Sequence, residues 1–180
     1  MAVIKGPDGQ VANVTDAGQL VVSATTQGLA EALNLAGLIF DIHGTVTPAG
    51  ANDYFFYLKN VGSNDLGVSI ISLSVSAPTE IRMNVVSGTP VYTSEVPSQI
   101  INLNLGSSSV LPAEASHDVN ITGLTDEGLL VFEECAIADT RYERVIASSV
   151  VVPQGKAIAL QRVSASGTVK FSVGVGIIPS

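Results

Sequence analysis

From about residue 37 onward the chain is a succession of short apolar segments separated by turn residues. The segments are 37–46, 52–60, 66–77, 79–86, 98–105, 117–124, 129–138, 144–152, 156–163 and 168–178. Each is rich in Val, Ile, Phe, Tyr or Thr, the side chains that suit a pleated, half-buried surface. In 68–76, Ser69, Ile71, Leu73 and Val75 fall on one face, opposite Val68, Ile70, Ser72, Ser74 and Ser76, so the buried face includes Ile71, Leu73 and Val75. In 168–175, Val169, Phe171, Val173 and Val175 alternate with Thr168, Lys170, Ser172 and Gly174. A period of two predicts strands rather than helices. Turn chemistry separates them at 47–50, 62–65, 77–78, 87–90, 153–155 and 164–167, where Gly, Pro, Asn and Ser gather. Eight to ten short strands without intervening helices predict an all-β, antiparallel sandwich or barrel over 37–180. The stretch 88–116, with Pro90, Pro97, Gly106 and Pro112, is patterned weakly and is expected to be a long excursion between sheets.

Residues 1–36 follow a different pattern. The first 27 are rich in Gly, Asn and Asp and contain one strand-like piece, 19–24. Residues 28–37 place Leu29, Leu33 and Ala36 near helical spacing, which predicts one short helix. An extended N-terminal arm that cannot bury a core alone suits docking, for instance by adding a strand to a neighbour's sheet. Val11, Val14, Leu20 and Val21 are its expected apolar anchors.

Composition changes the picture in one respect. Of the 180 residues, 46% are hydrophobic and only 13% are charged, about half the usual charged share. Mean hydropathy is +0.43, yet no apolar run approaches the roughly 20 residues that span a bilayer. Eight basic residues against sixteen acidic ones give a net charge of −8, which disfavours nucleic acid and anionic membranes as partners. Cys135 is the single cysteine, so no intrachain disulfide forms. Lys5, Asp8, Asn13 and Asp16 interrupt any apolar leader. Folding in a reducing cytoplasm without a membrane anchor is the expectation.

Candidate chemistry is sparse. His43 and His117 are the two histidines. Ser116-His117-Asp118 contains the residue types of a triad, but neighbours on an extended chain point to alternate sides. Asp126-Glu127 and Glu133-Glu134 are acidic pairs, and an inward member of the second would need Arg141 or Arg144 as partner. Residues 60–65 lack the spacing of a calcium loop and suit a hairpin turn. Gly174-Val175-Gly176 lacks the context of a dinucleotide fingerprint, and Cys135 suits a buried small hydrophobe. Alternation along 54–57 buries either Tyr54 and Phe56 or Phe55 and Tyr57. These residues assemble no catalytic site, and no cofactor or metal is expected.

A surface covered by hydroxyls rather than ions suits extensive protein contact, because interface cores are depleted in charge. A symmetric homo-oligomer or a larger shell is the expected destination. Residues 45–50, 54–60 and 66–70 resemble the opening hairpin of small virion proteins of tailed bacteriophages. Residues 152–160 and 168–172 are similar to the closing hairpin of the same jelly-roll-like domains, and 14–22 resembles their N-terminal segments. The resemblance implies a capsid decoration (cement) or head-fibre protein, commonly a trimer, seated on the major capsid protein through its N-terminal part, with no catalytic residues. The alternatives are a receptor- or glycan-binding tail or fibre module, with its ligand site on loops such as 88–116, and a bacterial sandwich domain of unrelated role.

Overall fold

The computed structural model describes residues 4–5, 11–14, 20–21, 33–164 and 167–179. Three short strands, β1 (Ile4–Lys5), β2 (Val11–Val14) and β3 (Leu20–Val21), pair antiparallel in the order β1-β2-β3. The N-terminal segment thus holds more strand than the single piece expected at 19–24. Of the expected helix over 28–37, residues 33–35 are helical, and 28–32 lie outside the described residues.

Eight strands build the body: β4 (Ile39–Val46), β5 (Asp53–Asn60), β6 (Asp65–Val75), β7 (Thr79–Tyr92), β10 (Ala113–Ala136), β11 (Arg141–Val152), β12 (Ala157–Arg162) and β13 (Val169–Ile178). Two short strands, β8 (Val96–Pro97) and β9 (Gln99–Asn102), lie on edges. One sheet has the order β11-β6-β13-β4-β9 and the other runs β5-β12-β7-β10-β8. Taking the eight long strands in chain order, the first sheet holds the first, eighth, third and sixth, and the second holds the second, seventh, fourth and fifth. Successive strands therefore alternate between the sheets except at β7 to β10 and across the ends. This is the jelly roll, two interleaved Greek keys.

The inward faces carry the alternation seen in the sequence. Ile71, Leu73, Val75, Val169, Phe171, Val173 and Val175 are all buried, and they meet Phe56, Leu58, Ile81, Met83 and Leu160 of the opposing sheet. Complete burial of such a side chain is worth about 1.5–3 kcal/mol. Gly44 lies opposite Phe171 in the ladder, and a Cβ there would sit 2.6 Å from the Phe171 ring. Its bare backbone leaves the space the ring occupies. On β6 the register against β13 shifts between Ile70 and Val68. That bulge reverses the alternation, so Val68 is buried while Ile70 is 39% exposed.

The second sheet departs further from expectation. β10 is one strand of 24 residues rather than the two segments 117–124 and 129–138. Its first part pairs with β5, from Ala113 opposite Asn60 to His117 opposite Phe56. From Ile121 onward it pairs with β7. Since β12 joins β5 to β7, the strands β5, β12, β7 and β10 close into a small four-stranded barrel. Tyr57, Val86, Ile121, Ala157 and Ala159 fill it as a second core, the two alanines leaving volume for the tyrosine ring. Burial on both faces explains why Phe55, Phe56, Tyr57 and Leu58 are all buried, where alternation predicts one pair. A register shift at Phe55 adds to this by turning its ring to the same side as Phe56. The two ring centroids lie 5.9 Å and 4.9 Å from that of Phe171.

The expected excursion 88–116 is partly strand: it supplies the end of β7, then β8 and β9, and the start of β10. Gly88 (φ 95°) and Gly123 (φ 75°) adjoin across the β7–β10 ladder, where the register shifts. A Cβ on Gly123 would lie 2.4 Å from the Thr89 carbonyl oxygen, and one on Gly88 would lie 2.5 Å from that of Gly123. Only glycine accepts this backbone without displacing it.

Candidate functional site

Ser116, His117 and Asp118 do not converge. Ala115 and His117 face the sandwich core, while Ser116 and Asp118 face away, as an extended strand requires. The Ser116 hydroxyl donates to Glu95 at 2.7 Å. Asp118 is 1% exposed and accepts from the backbone N–H groups of Thr93, Ser94 and Val119, which fixes the turn after β7. The His117 ring stands edge-on to Phe171 at 5.6 Å, and its Nδ1 is 3.0 Å from the Ser98 hydroxyl. Burial pushes its pKa below the usual 6.5, against the opposing pull of Asp118. These contacts hold the turn and wall off the core.

His43 belongs to a polar ladder across the outer face of the first sheet. Glu143, Ser72, Ser172, His43 and Gln99 stand in register across all five strands. His43 Nε2 is 2.7 Å from Gln99, its Nδ1 is 3.6 Å from Asp41, and Ser172 donates to Asp41. The next row holds Arg141, Ser74 and Lys170, and Arg141 Nε donates to Ser72 at 2.9 Å. Of the partners expected for Glu133 and Glu134, Arg141 instead pairs with Glu143 at 3.3 Å. Glu133 pairs with Arg82. The side chains of Glu134, Cys135 and Arg144 lie outside the described residues.

Two buried polar residues tie the ends of the sandwich. Arg162, 1% exposed, donates to the carbonyls of Gly167 (2.7 Å), Pro48 (3.1 Å) and Gly50 (3.3 Å), and so joins two loops. At the other end of β5, buried Asn60 donates to Asn64 and Val152 carbonyls, both at 2.8 Å, and accepts from Gly62. The 60–65 segment is thus a braced turn, as its composition predicts, and Gly174-Val175-Gly176 is plain strand within β13.

The mouth of the small barrel forms a groove of about 340 Å³ lined by Arg82, Asn84, Asp126, Leu130, Glu133 and Gln161. Between Asp126 and Leu130 the ladder to β7 skips, so that residues 127–129 bulge without register partners on β7. Gly128 (φ 73°) makes this excursion possible, and its N–H donates to Asp126 at 2.8 Å. Arg82 Nε lies 2.5 Å from Glu80 and 3.2 Å from Glu133. Gln161 donates to the Asn52 carbonyl at 2.9 Å and accepts from Asn84 at 3.3 Å. Burial, aided by the Asp126 charge, raises the pKa of the Tyr54 hydroxyl. Sequence reading missed this groove, because its residues come from three strands and are ordinary surface types.

Exposed apolar side chains gather at another place. Leu105 is 88% exposed, Val110 81%, Leu35 65% and Leu103 49%. Asn104 donates to the Leu35 carbonyl at 3.0 Å and Asn102 to that of Gly37 at 2.9 Å, so the 103–110 loop lies against the segment that leads in from the N-terminal strands. Of the expected arm anchors, Val11 lies opposite Lys5, Val14 opposite Leu20 and Val21 opposite Asn13 in the β1-β2-β3 ladder. Their side chains lie outside what is described. Among the described residues no cluster of three metal-ligating side chains occurs, and no helix is long and apolar enough to cross a membrane.

Comparison of the chain with protein-family models, with curated proteins and with solved structures finds no match.

Proposed function

We propose that this chain is a non-enzymatic structural protein of a tailed-phage virion, which decorates or stabilises the capsid as a homo-oligomer and is seated through residues 1–36. A trimer is the form that the sequence resemblance implies. The observation that carries the reading is the exposed apolar group Leu35, Leu103, Leu105 and Val110, set beside the segment that joins the N-terminal strands to the jelly roll. Monomeric proteins seldom leave such a group to solvent without a use for it. A rigid jelly roll then stands outward, and a small separate sheet is left to meet the shell.

Mass spectrometry and cryo-electron microscopy of purified particles test this directly. The protein is expected at stoichiometric copy number on the head, and its absence from particles overturns the reading. A truncated chain beginning at Leu38 is expected to remain folded by circular dichroism and to lose attachment to capsids. Equal attachment by both forms would remove the N-terminal segment from the account.

A further inference from the structure

The outer face of the β11-β6-β13-β4-β9 sheet holds an open pocket of about 320 Å³, whose polar lining is Ser72, Ser74, Ser172, Arg141 and Lys170. No carboxylate lines it. Acidic residues outnumber basic ones two to one in this chain, so two cations without an acid set this place apart. Register explains its shape. Arg141 on β11 and Lys170 on β13 both stand opposite Ser74 on β6, and two interstrand spacings put their backbones about 10 Å apart. In the neighbouring row Ser72 lies opposite Ser172. The pocket therefore has a cation on each wall and hydroxyls on its floor.

Its donors are positioned and available. Ser72 is 8% exposed, and its oxygen accepts from Arg141 Nε at 2.9 Å. That bond holds the guanidinium over the floor and leaves the Ser72 O–H to donate elsewhere. Arg141 Nη2 also reaches Glu143 at 3.3 Å, but both side chains lie at least half in water, where such pairs hold weakly. Lys170 and the Ser74 hydroxyl have no ion-pair or hydrogen-bond partner among the described residues. Asp41 is engaged by Ser172 and His43, and Asp139 lines the adjoining cleft rather than this one. These groups select an anion. A cation would meet two like charges, and a neutral ligand would leave both without a counter-charge. Donors on two walls and a floor are not coplanar. They suit a group with three terminal oxygens better than a planar carboxylate, which one guanidinium fork satisfies.

We propose that this pocket binds a phosphate or sulfate group, free or as a monoester, with Arg141 and Lys170 neutralising its charge and Ser72 and Ser74 donating to its oxygens. The site is independent of the virion reading, because binding is measured on the purified protein. The full-length chain, labelled with ¹⁵N, is titrated at neutral pH and a constant ionic strength of about 0.15 M with inorganic phosphate, sulfate and glucose 6-phosphate. Acetate and methyl glucoside serve as the planar-anion and neutral probes. Saturable shifts are expected at amides of residues 72–74, 141–143 and 170–172 from at least one of the first three. Tighter binding of glucose 6-phosphate than of inorganic phosphate supports a monoester as the occupant, and the reverse order supports the free ion. Lys170→Ala and Arg141→Gln are each expected to weaken binding about tenfold, and Glu143→Gln, which releases Arg141, to strengthen it. Lys156→Ala removes the same charge outside the pocket and should leave binding unchanged. Absence of saturable shifts at these amides overturns the proposal, as does acetate or methyl glucoside binding as tightly as the three oxyanions. Undiminished binding in both Lys170→Ala and Arg141→Gln, or an equal loss in Lys156→Ala, overturns it as well.

Discussion

The two sheets of this jelly roll are built from the same kinds of residue and solve different problems. The β11-β6-β13-β4-β9 sheet has one apolar face and one face of Ser, Thr, His, Lys and Arg open to water. The other sheet curls until β10 reaches both β5 and β7, and it buries side chains on both faces. A sheet with one buried face needs alternation along most of its length. A sheet that closes needs bulges to turn the corners and small residues inside. Those requirements fall on Gly88, Gly123, Ala157 and Ala159, and the groove at the mouth is a product of the same curvature.

Substitutions along β13 should show the one-faced character of the first sheet most strongly. Phe171 packs against Phe55, Phe56 and His117. Phe171→Ala is expected to cost about 3–5 kcal/mol in urea unfolding. Its exposed neighbour gives the contrast: Lys170→Ala should stay within about 0.5 kcal/mol of the parent. Similar losses at both positions would contradict the assigned faces.

Glycines sharpen the comparison at a smaller scale. Gly123→Ala must place a Cβ against the Thr89 carbonyl at positive φ, and a loss of about 1–3 kcal/mol is expected. Gly174→Ala in the first sheet, at negative φ, meets nothing nearer than 3.6 Å and should change stability by less than about 1 kcal/mol. If the two variants unfold at the same denaturant concentration, the bulge does not carry the strain assigned to it.

His117 sits where the two sheets meet, and its burial lowers its pKa from 6.5. The unfolded chain therefore binds this proton more readily than the folded one, and its contribution to stability is complete above pH 6.5. It is lost as pH falls from there through the lower, folded value. Unfolding free energy measured across that window should decline toward acid, and His117→Gln should flatten part of the decline. An unchanged slope in the variant would place the acid sensitivity elsewhere.

How much of this was legible in the sequence follows from the same contrast. Alternation at 68–76 and 168–175 located the core faces of β6 and β13, except where the bulge beside Ile70 reversed the order. Closure of the barrel was not legible, because it depends on β10 pairing with β5 at one end and β7 at the other. No local period encodes two partners for one strand. The Ser116-His117-Asp118 run was readable as three separate side chains from strand geometry alone. The groove was not, since Arg82, Asp126 and Gln161 meet only once β12, β7 and β10 pair side by side. Asp126 and Glu133 did stand out as members of acidic pairs, but nothing in their spacing indicated the amides opposite.

The smallest effect on stability is expected where the effect on assembly is largest. Leu105 and Val110 are exposed beyond the β9 edge and contribute little to the folded monomer. Leu105→Ser with Val110→Ser should leave the unfolding midpoint within about 0.5 kcal/mol of the parent. If these side chains are covered by another copy of the chain, the double variant must lower the mass seen by light scattering at micromolar concentration. A parent that is already monomeric there removes self-association from the account of this patch. An oligomer that survives the double substitution moves the contact to another surface. Either result leaves the two-sheet comparison intact, because the patch lies on the loop after β9, outside both cores.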